Sequence, residues 1–312
     1  LATLVTGSIA YDTIMVFPDH FKNHLLADQL HILNVCFLTP EMRREFGGTA
    51  GNIGYNLRLL GADPLVMATV GEDIQPYLER LDHLGIGTGL LKTVRGQFTA
   101  QAFITTDLDD NQITAFHPGA MNHSHENSIG PDLGATLAIV SPDGKDGMQQ
   151  HARECAQQGI PFMFDPGQGL PMFSAVELRE FIALADYVAV NDYEGKMLQD
   201  KTGCTLEELA MDVKALVVTL GAQGSLVHAA GTCHEIPCVK ADRVVDPTGC
   251  GDAYRAGLLY GIAHGWDWQT TARLGAVMGA IKIAHRGAQN HAPSRDEIEE
   301  RYKAAFGFSP WR

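Results

Sequence analysis

From residue 64 onward, short apolar runs alternate with stretches whose apolar positions recur every three or four residues. The short runs predict buried strands, and the longer periodic stretches predict helices that cover them. Strands are expected at 64–70, 135–140, 162–164, 187–190, 216–220 and 225–228. Helices are expected at 75–84, 147–158, 175–184, 252–264 and 268–284. Residues 2–10 read as a further buried strand closed by small residues, with Tyr11 and Asp12 at its carboxyl end. Repeated βα units predict an α/β fold, a doubly wound and mostly parallel sheet flanked by helices on both faces.

Part of the chain breaks this alternation. Residues 13–17, 29–38, 97–106 and 112–117 are β-rich without intervening helices, and the last two read as a hairpin around Asp107–Asn111. They predict a small separate sheet, a lid inserted at about 13–17, 29–38 and 97–117, over the site of one domain spanning 1–312.

Composition narrows the function. Of 312 residues, 45% are apolar and 19% charged, as in ordinary soluble proteins. The net charge of −14, from 23 basic and 37 acidic residues, argues against nucleic acid as a partner. A small anionic ligand stays open, because backbone amides or a metal can supply local positive potential. No apolar run reaches ~18 residues, so no membrane span is expected. Six scattered cysteines with no C-x-x-C pair, and an N-terminal stretch without a basic leader, suggest a cytoplasmic protein.

The most informative stretch is Val245 to Gly257, a Gly-rich turn running into a helix. Gly249 and Gly251 let the backbone approach a ligand closely. Amides at a helix start have no intrahelical partner, so the turn is a ready anion site. Asp252 stands in it. A carboxylate there can take a proton from a hydroxyl while the amides hold the phosphoryl group under attack, or it can simply complement the helix dipole. A second Gly-rich turn, 46–61, feeds a helix with Thr49 as N-cap, Gly61 as stop and Asn52 in the first turn. Asn191 and Glu194 share a face at a helix start; they suit Mg²⁺ through its waters, or a capping box, or both. Thr219 to Ser225 is a tight turn after a strand, able to pass close to nucleotide phosphates. There is no Walker A pattern and no dinucleotide fingerprint. His123-Ser124-His125-Glu126 reads as a solvated loop rather than a metal cluster. Cys250 lies where a thiolate would be favoured, but it has no His partner nearby in sequence.

These residues resemble the ribokinase-type (PfkB-type) sugar and nucleoside kinases. Asp246-Pro247-Thr248-Gly249-Cys250-Gly251-Asp252 looks like the family's C-terminal signature, and Gly47-Gly48 with Asn52 looks like its N-terminal one. Asn191-Asp192-Tyr193-Glu194 matches N-x-x-E, and Thr219-x-Gly221-x-x-Gly224 matches the nucleotide-phosphate turn. The stretches 7–14, 42–48, 105–121 and 165–171 look most like bacterial adenosine and broader nucleoside kinases.

The resemblance implies ATP-dependent phosphorylation of a nucleoside 5′-hydroxyl, by a monomer or homodimer. Asp252 is then the general base, with Gly249, Cys250 and Gly251 forming the anion hole. Asp12, Gly48 and Asn52 hold the ribose. Phe103 and Phe116 are candidate walls for the base, with Gln101 or Gln168 reading its edge. Asn191 and Glu194 organise Mg²⁺, and Asn191, Thr219, Gly221 and Gly224 line the ATP phosphates. The family's adenine loop and monovalent-cation (K⁺) site would fall between Gly279 and Gln289, with Asp246 and Thr248 near the cation. Cys250 stands where Ala is usual, and Pro247 replaces a hydroxyl residue near that cation. A sugar kinase for ribose or fructose is the alternative, and a non-catalytic nucleoside or nucleotide sensor a further one.

Overall fold

Leu4 and Val5 are adjacent and both fully buried, yet they belong to two different hydrophobic clusters. Successive side chains of a strand point to opposite faces, so a run buried throughout needs cover on both sides. The same split recurs at Ala138 and Ile139 and at Leu216 and Val217. The main sheet therefore lies between two apolar layers, as the continuous runs predict.

The computed structural model describes residues 2–25, 34–109 and 111–311. Its elements begin with β1 (Ala2–Thr6), β2 (Ala10–Val16), β3 (Glu41–Gly47), α1 (Thr49–Leu59), β4 (Asp63–Val70), α2 (Gln75–His83) and β5 (Leu91–Thr93). The middle holds β6 (Ala100–Thr106), β7 (Gln112–His117), β8 (Leu137–Val140), α3 (Lys145–Gln158), β9 (Phe162–Phe164), α4 (Ala175–Leu184) and β10 (Tyr187–Asn191). There follow α5 (Asp192–Thr202), α6 (Leu206–Ala210), β11 (Ala215–Thr219), β12 (Ser225–Ala229), β13 (Thr232–Ile236), α7 (Cys250–Ala263), α8 (Trp268–Ile283) and α9 (Arg295–Phe306).

Among the described residues, a nine-stranded sheet has the order β13-β12-β11-β10-β9-β8-β1-β4-β5. The strands from β11 to β5 pair in parallel, and β12 and β13 close one edge antiparallel. A four-stranded sheet, β3-β2-β6-β7, stands apart. No described helix is long and apolar enough to cross a membrane.

Several expectations need correction. The strand expected at 2–10 is two strands. β1 ends at Thr6, the chain crosses through residues 7–9, and β2 enters the small sheet. Asp12 therefore lies within the small sheet and not at a main-sheet strand end. Residues 34–38 form no strand, and 29–33 lie outside the described residues. β2 pairs with β6 on one side and, on the other, with β3, whose charged positions hide it from a hydrophobicity reading. Thr49 does not cap α1; Gly48 does, at φ +86°, where a Cβ would stand 2.5 Å from the Ser8 carbonyl oxygen. The Thr49 hydroxyl donates to the Pro142 carbonyl instead. Residues 119–126 form a short 3₁₀ helix with His123 bound to Glu126, and the described residues hold no cluster of three metal-ligating side chains.

Two contacts position the helix that carries Asp252. At its middle, α7 packs on α8 so closely that a Cβ on Gly257 would lie 2.6 Å from Gly275. Toward its carboxyl end, Tyr260 meets Trp266 and Trp311 edge to face, and beyond it Trp268 meets Tyr187 at the start of β10. Replacing Gly257 by Val forces the two backbones apart. Denaturant unfolding should show a loss of about 1–3 kcal/mol or more, as overpacked cores do.

Candidate active site

The turn before α7 is built from its own side chains. Asp246 Oδ1 accepts the Thr248 amide at 2.9 Å, and the Cys250 amide donates to the Pro247 carbonyl at 3.1 Å. Gly249 then takes φ +77°, and a Cβ there would stand 2.8 Å from Ala288 Cβ. Cys250 thus spends its amide inside the turn. The amides of Gly249, Gly251 and Asp252 make no backbone hydrogen bond among the described residues outside α7 itself. They lie at the positive end of the α7 dipole. Gly251 is exposed, and a Cβ on it would meet only the Arg255 guanidinium, at 3.9 Å. Burial pushes the Cys250 thiol up to about 11, so it stays protonated and is no nucleophile at neutral pH.

Asp252 opens α7 and is partly exposed. Its Oδ2 accepts the Asn52 amide at 2.8 Å. Asn52 Oδ1 in turn accepts Gln289 Nε2 at 3.0 Å; the same nitrogen meets the Tyr77 hydroxyl at 2.7 Å, and that hydroxyl donates to the Gly47 carbonyl at 2.9 Å. A continuous chain of hydrogen bonds therefore joins Asp252 to the last residue of β3. Burial pushes the Asp252 carboxyl up to about 7. The Asn52 bond and Arg255 pull it down, while Asp165 and Asp12 push it higher. A carboxylate near 7 is matched to general-base work at neutral pH.

Arg255, one turn further along α7, is buried and meets Asp165 at 3.2 and 3.3 Å. Its guanidinium also lies 3.8 Å from Glu194. One cation thereby ties α7 to the end of β9 and to the start of α5. At that start Asn191 Oδ1 accepts the Glu194 amide, and Glu194 Oε2 accepts the Asn191 amide, so the expected capping box is present. Strand register sets Asn191 beside Thr219 at one sheet edge. Beyond Thr219, Gly221 has φ +57° and open space around it. Gly224 at φ +91° packs its α-carbon on residues 236–238, where a Cβ would lie 2.1 Å from the Ile236 carbonyl.

Asp12 lies over Gly47, and burial followed by the charges of Glu45 and Asp246 pushes it up to about 6. Its face of the small sheet is shared by its register partners Glu45 and Ala102, and through Ala102 by Phe116. Phe103 pairs with Thr13 and Ala115, on the opposite face, so the two phenylalanines do not wall one pocket. Gln101 also lies on that opposite face and donates to Asp73 at 3.1 Å. Gln168 is exposed, in the turn after Asp165. The residues missed from sequence are Gln289, Tyr77, Asp165, Arg255 and Lys282. The available signal was a cation among apolar and small residues, Arg255 in α7 and Lys282 in the last turn of α8.

A carboxylate beside free amides at one edge of an α/β sheet, with a small second sheet alongside, fits the architecture of ribokinase-like phosphotransferases. The chain matches the pfkB family carbohydrate kinase profile over residues 12–295, and it belongs to that family. Nucleoside kinase of Burkholderia thailandensis, solved with inosine, is 55% identical and superposes with a TM-score of 0.90 over 99% of both chains. The same enzyme has been solved with ADP-inosine, at a TM-score of 0.88. Nucleoside kinase of Methanocaldococcus jannaschii is 31% identical over 270 residues, which are 86% of this chain and 89% of that one.

Removing Arg255 leaves two carboxylates buried without their cation. Arg255→Met should cost about 3–5 kcal/mol in denaturant unfolding, and Arg255→Met with Asp165→Leu should recover much of that loss. A double variant no more stable than the single one would show that charge pairing is not the source.

Proposed function

We propose that this chain transfers the γ-phosphoryl group of ATP to the 5′-hydroxyl of a nucleoside, with purine nucleosides as the first candidates. The observation that carries this reading is the Asp252 carboxylate, held by Asn52 beside the free amides of the α7 start. The 55% identity to a nucleoside kinase solved with inosine and with ADP-inosine supports the acceptor and the donor.

Asp252 takes the proton of the 5′-hydroxyl as its oxygen forms a bond to the γ-phosphorus. The bond from that phosphorus to the β–γ bridging oxygen breaks, and ADP leaves with the electron pair. Charge spread over the transferring group meets the amides of Gly249, Gly251 and Asp252, so positioning and electrostatics supply most of the catalysis. Asp12 and Gly48 face the ribose. Asn52 retains one amide hydrogen and one lone pair for it after binding Asp252 and Gln289. Phe116, on the face of Asp12, and the exposed Gln168 are the groups left for the base. Thr219, Gly221 and Gly224 follow the ATP phosphates.

The Asn191–Glu194 capping box occupies one oxygen of each side chain. The second Glu194 oxygen and the remaining lone pair of Asn191 Oδ1 can accept hydrogen bonds from the waters of a hydrated Mg²⁺. Bound there, Mg²⁺ would neutralise phosphate charge. Free thiols at all six cysteines fit a reducing compartment, and we place the enzyme in the cytoplasm.

An ADP-release assay across adenosine, inosine, guanosine, cytidine, ribose and fructose tests the acceptor. Turnover of sugars without nucleosides would reject the reading, and no turnover with tight nucleoside binding would point to a sensor. Asp252→Asn should lower kcat by roughly 10²- to 10⁴-fold with little change in nucleoside affinity. Because the base works only when ionised, kcat/KM should rise with pH up to about 7 and level off above it. Gly251→Ala should unfold like the wild type yet phosphorylate far more slowly, since its methyl group points into ligand space and not into the protein.

A further inference from the structure

The family resemblance implies a monovalent cation between Gly279 and Gln289, near Asp246 and Thr248. The donors found there do not suit a mobile ion. Asp246 Oδ1 accepts the Thr248 amide at 2.9 Å and Oδ2 accepts the Gly287 amide at 2.8 Å, so both oxygens are already engaged. Lys282, in the last turn of α8, is fully buried. Its Nζ donates to the carbonyl oxygens of Asp246 at 2.7 Å and of His285 at 3.2 Å.

A fully buried lysine is rare unless it is paired. Here an ammonium is held by backbone carbonyls, the type of donor that binds K⁺, and it carries the same charge. Its position in the last turn of α8 also suits the negative end of that helix. Burial pulls its pKa down, while the charges of Asp246 and Asp252 favour its charged form. A second monovalent cation at this spot would be repelled by it.

We infer that Lys282 is a built-in replacement for the monovalent cation, so that the enzyme works without K⁺. The ammonium completes a clamp. The amides of Val245 and Asp246 already donate to the Ile283 carbonyl. Lys282 then fixes the Asp246 carbonyl, from which the turn through Pro247, Thr248 and Gly249 departs. Lys282 is thus a positioning residue for the anion hole, and it adds positive potential behind the hole.

The inference rests on the proposed kinase reading, and a cation series on wild type and Lys282→Met tests it. Rate and thermal unfolding are each measured in tetramethylammonium, sodium, potassium and ammonium chloride at equal ionic strength. Wild type should show the same kcat and the same Tm throughout. Lys282→Met in tetramethylammonium should lose roughly 10- to 100-fold in kcat, as misplaced catalytic groups do. Potassium or ammonium should restore much of that rate and raise the variant's Tm, because an ion that binds the folded state stabilises it. Activation of wild type by K⁺ would overturn the inference, and so would a folded Lys282→Met indifferent to every cation. If Lys282→Met does not fold, Lys282→Gln takes its place, and the wild-type series still decides. Should no acceptor turn over at all, the kinase reading fails on its own, while the Tm series still reports on the cation.

Discussion

Asn52 and Asp252 stand 200 positions apart, and the 2.8 Å hydrogen bond between them is the contact on which the site's geometry depends. A carboxylate at a helix start can swing among rotamers. This one is held by an amide whose other end is held by Gln289. Asn52 can do this only because Gly48 lets α1 begin against residues 8–10. Asp252 can meet it only because Gly257 lets α7 lie against α8. The hydrogen-bond chain then runs through Tyr77 to Gly47, so the Asp252 carboxylate and the small sheet share one network. Any displacement of β3 has a direct route to the orientation of that carboxylate.

Charge is the second organising term. Asp12, Asp165, Glu194 and Asp252 gather in a protein whose net charge is already −14. Two buried cations offset them, Arg255 on the side of β9 and α5 and Lys282 on the side of the turn. Burial and like charge push the Asp12, Glu194 and Asp252 carboxyls upward, and a protonated Asp252 cannot accept a proton. Arg255 and Asn52 pull in the opposite direction, and the balance leaves the acid close to neutrality. The positive potential that an anionic co-substrate needs is local, made from helix-start amides and two side chains.

Much of this was readable in the chain because backbone demands leave marks on sequence. Gly48, Gly249 and Gly224 each occupy a positive φ with an atom where a Cβ would go, so those turns announce themselves. Asn191 and Glu194 carry the spacing of a cap, and they form one. The parallel sheet followed from runs buried on both faces. The failures have physical causes too. β3 carries charges at Glu41, Arg43, Arg44 and Glu45 as it edges the small sheet, and one such arginine, Arg44, lies over the Tyr11 ring, so a hydrophobicity reading passes over it. Phe103 and Phe116 were assigned to one wall because facing is a matter of register, which strand composition does not carry. The partners of Asp252 arrive from distant elements, and local pattern has no access to such pairs. Arg255 and Lys282 were visible only as cations among the apolar and small residues of α7 and α8.

The aromatic end of the fold sets what light can report. Trp266 and Trp311 pack together beyond the end of α7, and Trp268 rests on Tyr187 at the opposite end of β10 from Asn191. At ~1.5 Å per residue, the fourteen residues of α7 put about 20 Å between Cys250 and that cluster. All three indole fluorophores therefore sit at the pole remote from the chemistry. Intrinsic tryptophan emission follows the melting of the scaffold and is nearly blind to an occupied site. An indole introduced at Phe116, on the sheet face it shares with Asp12, would give the molecule an optical signal where it has none.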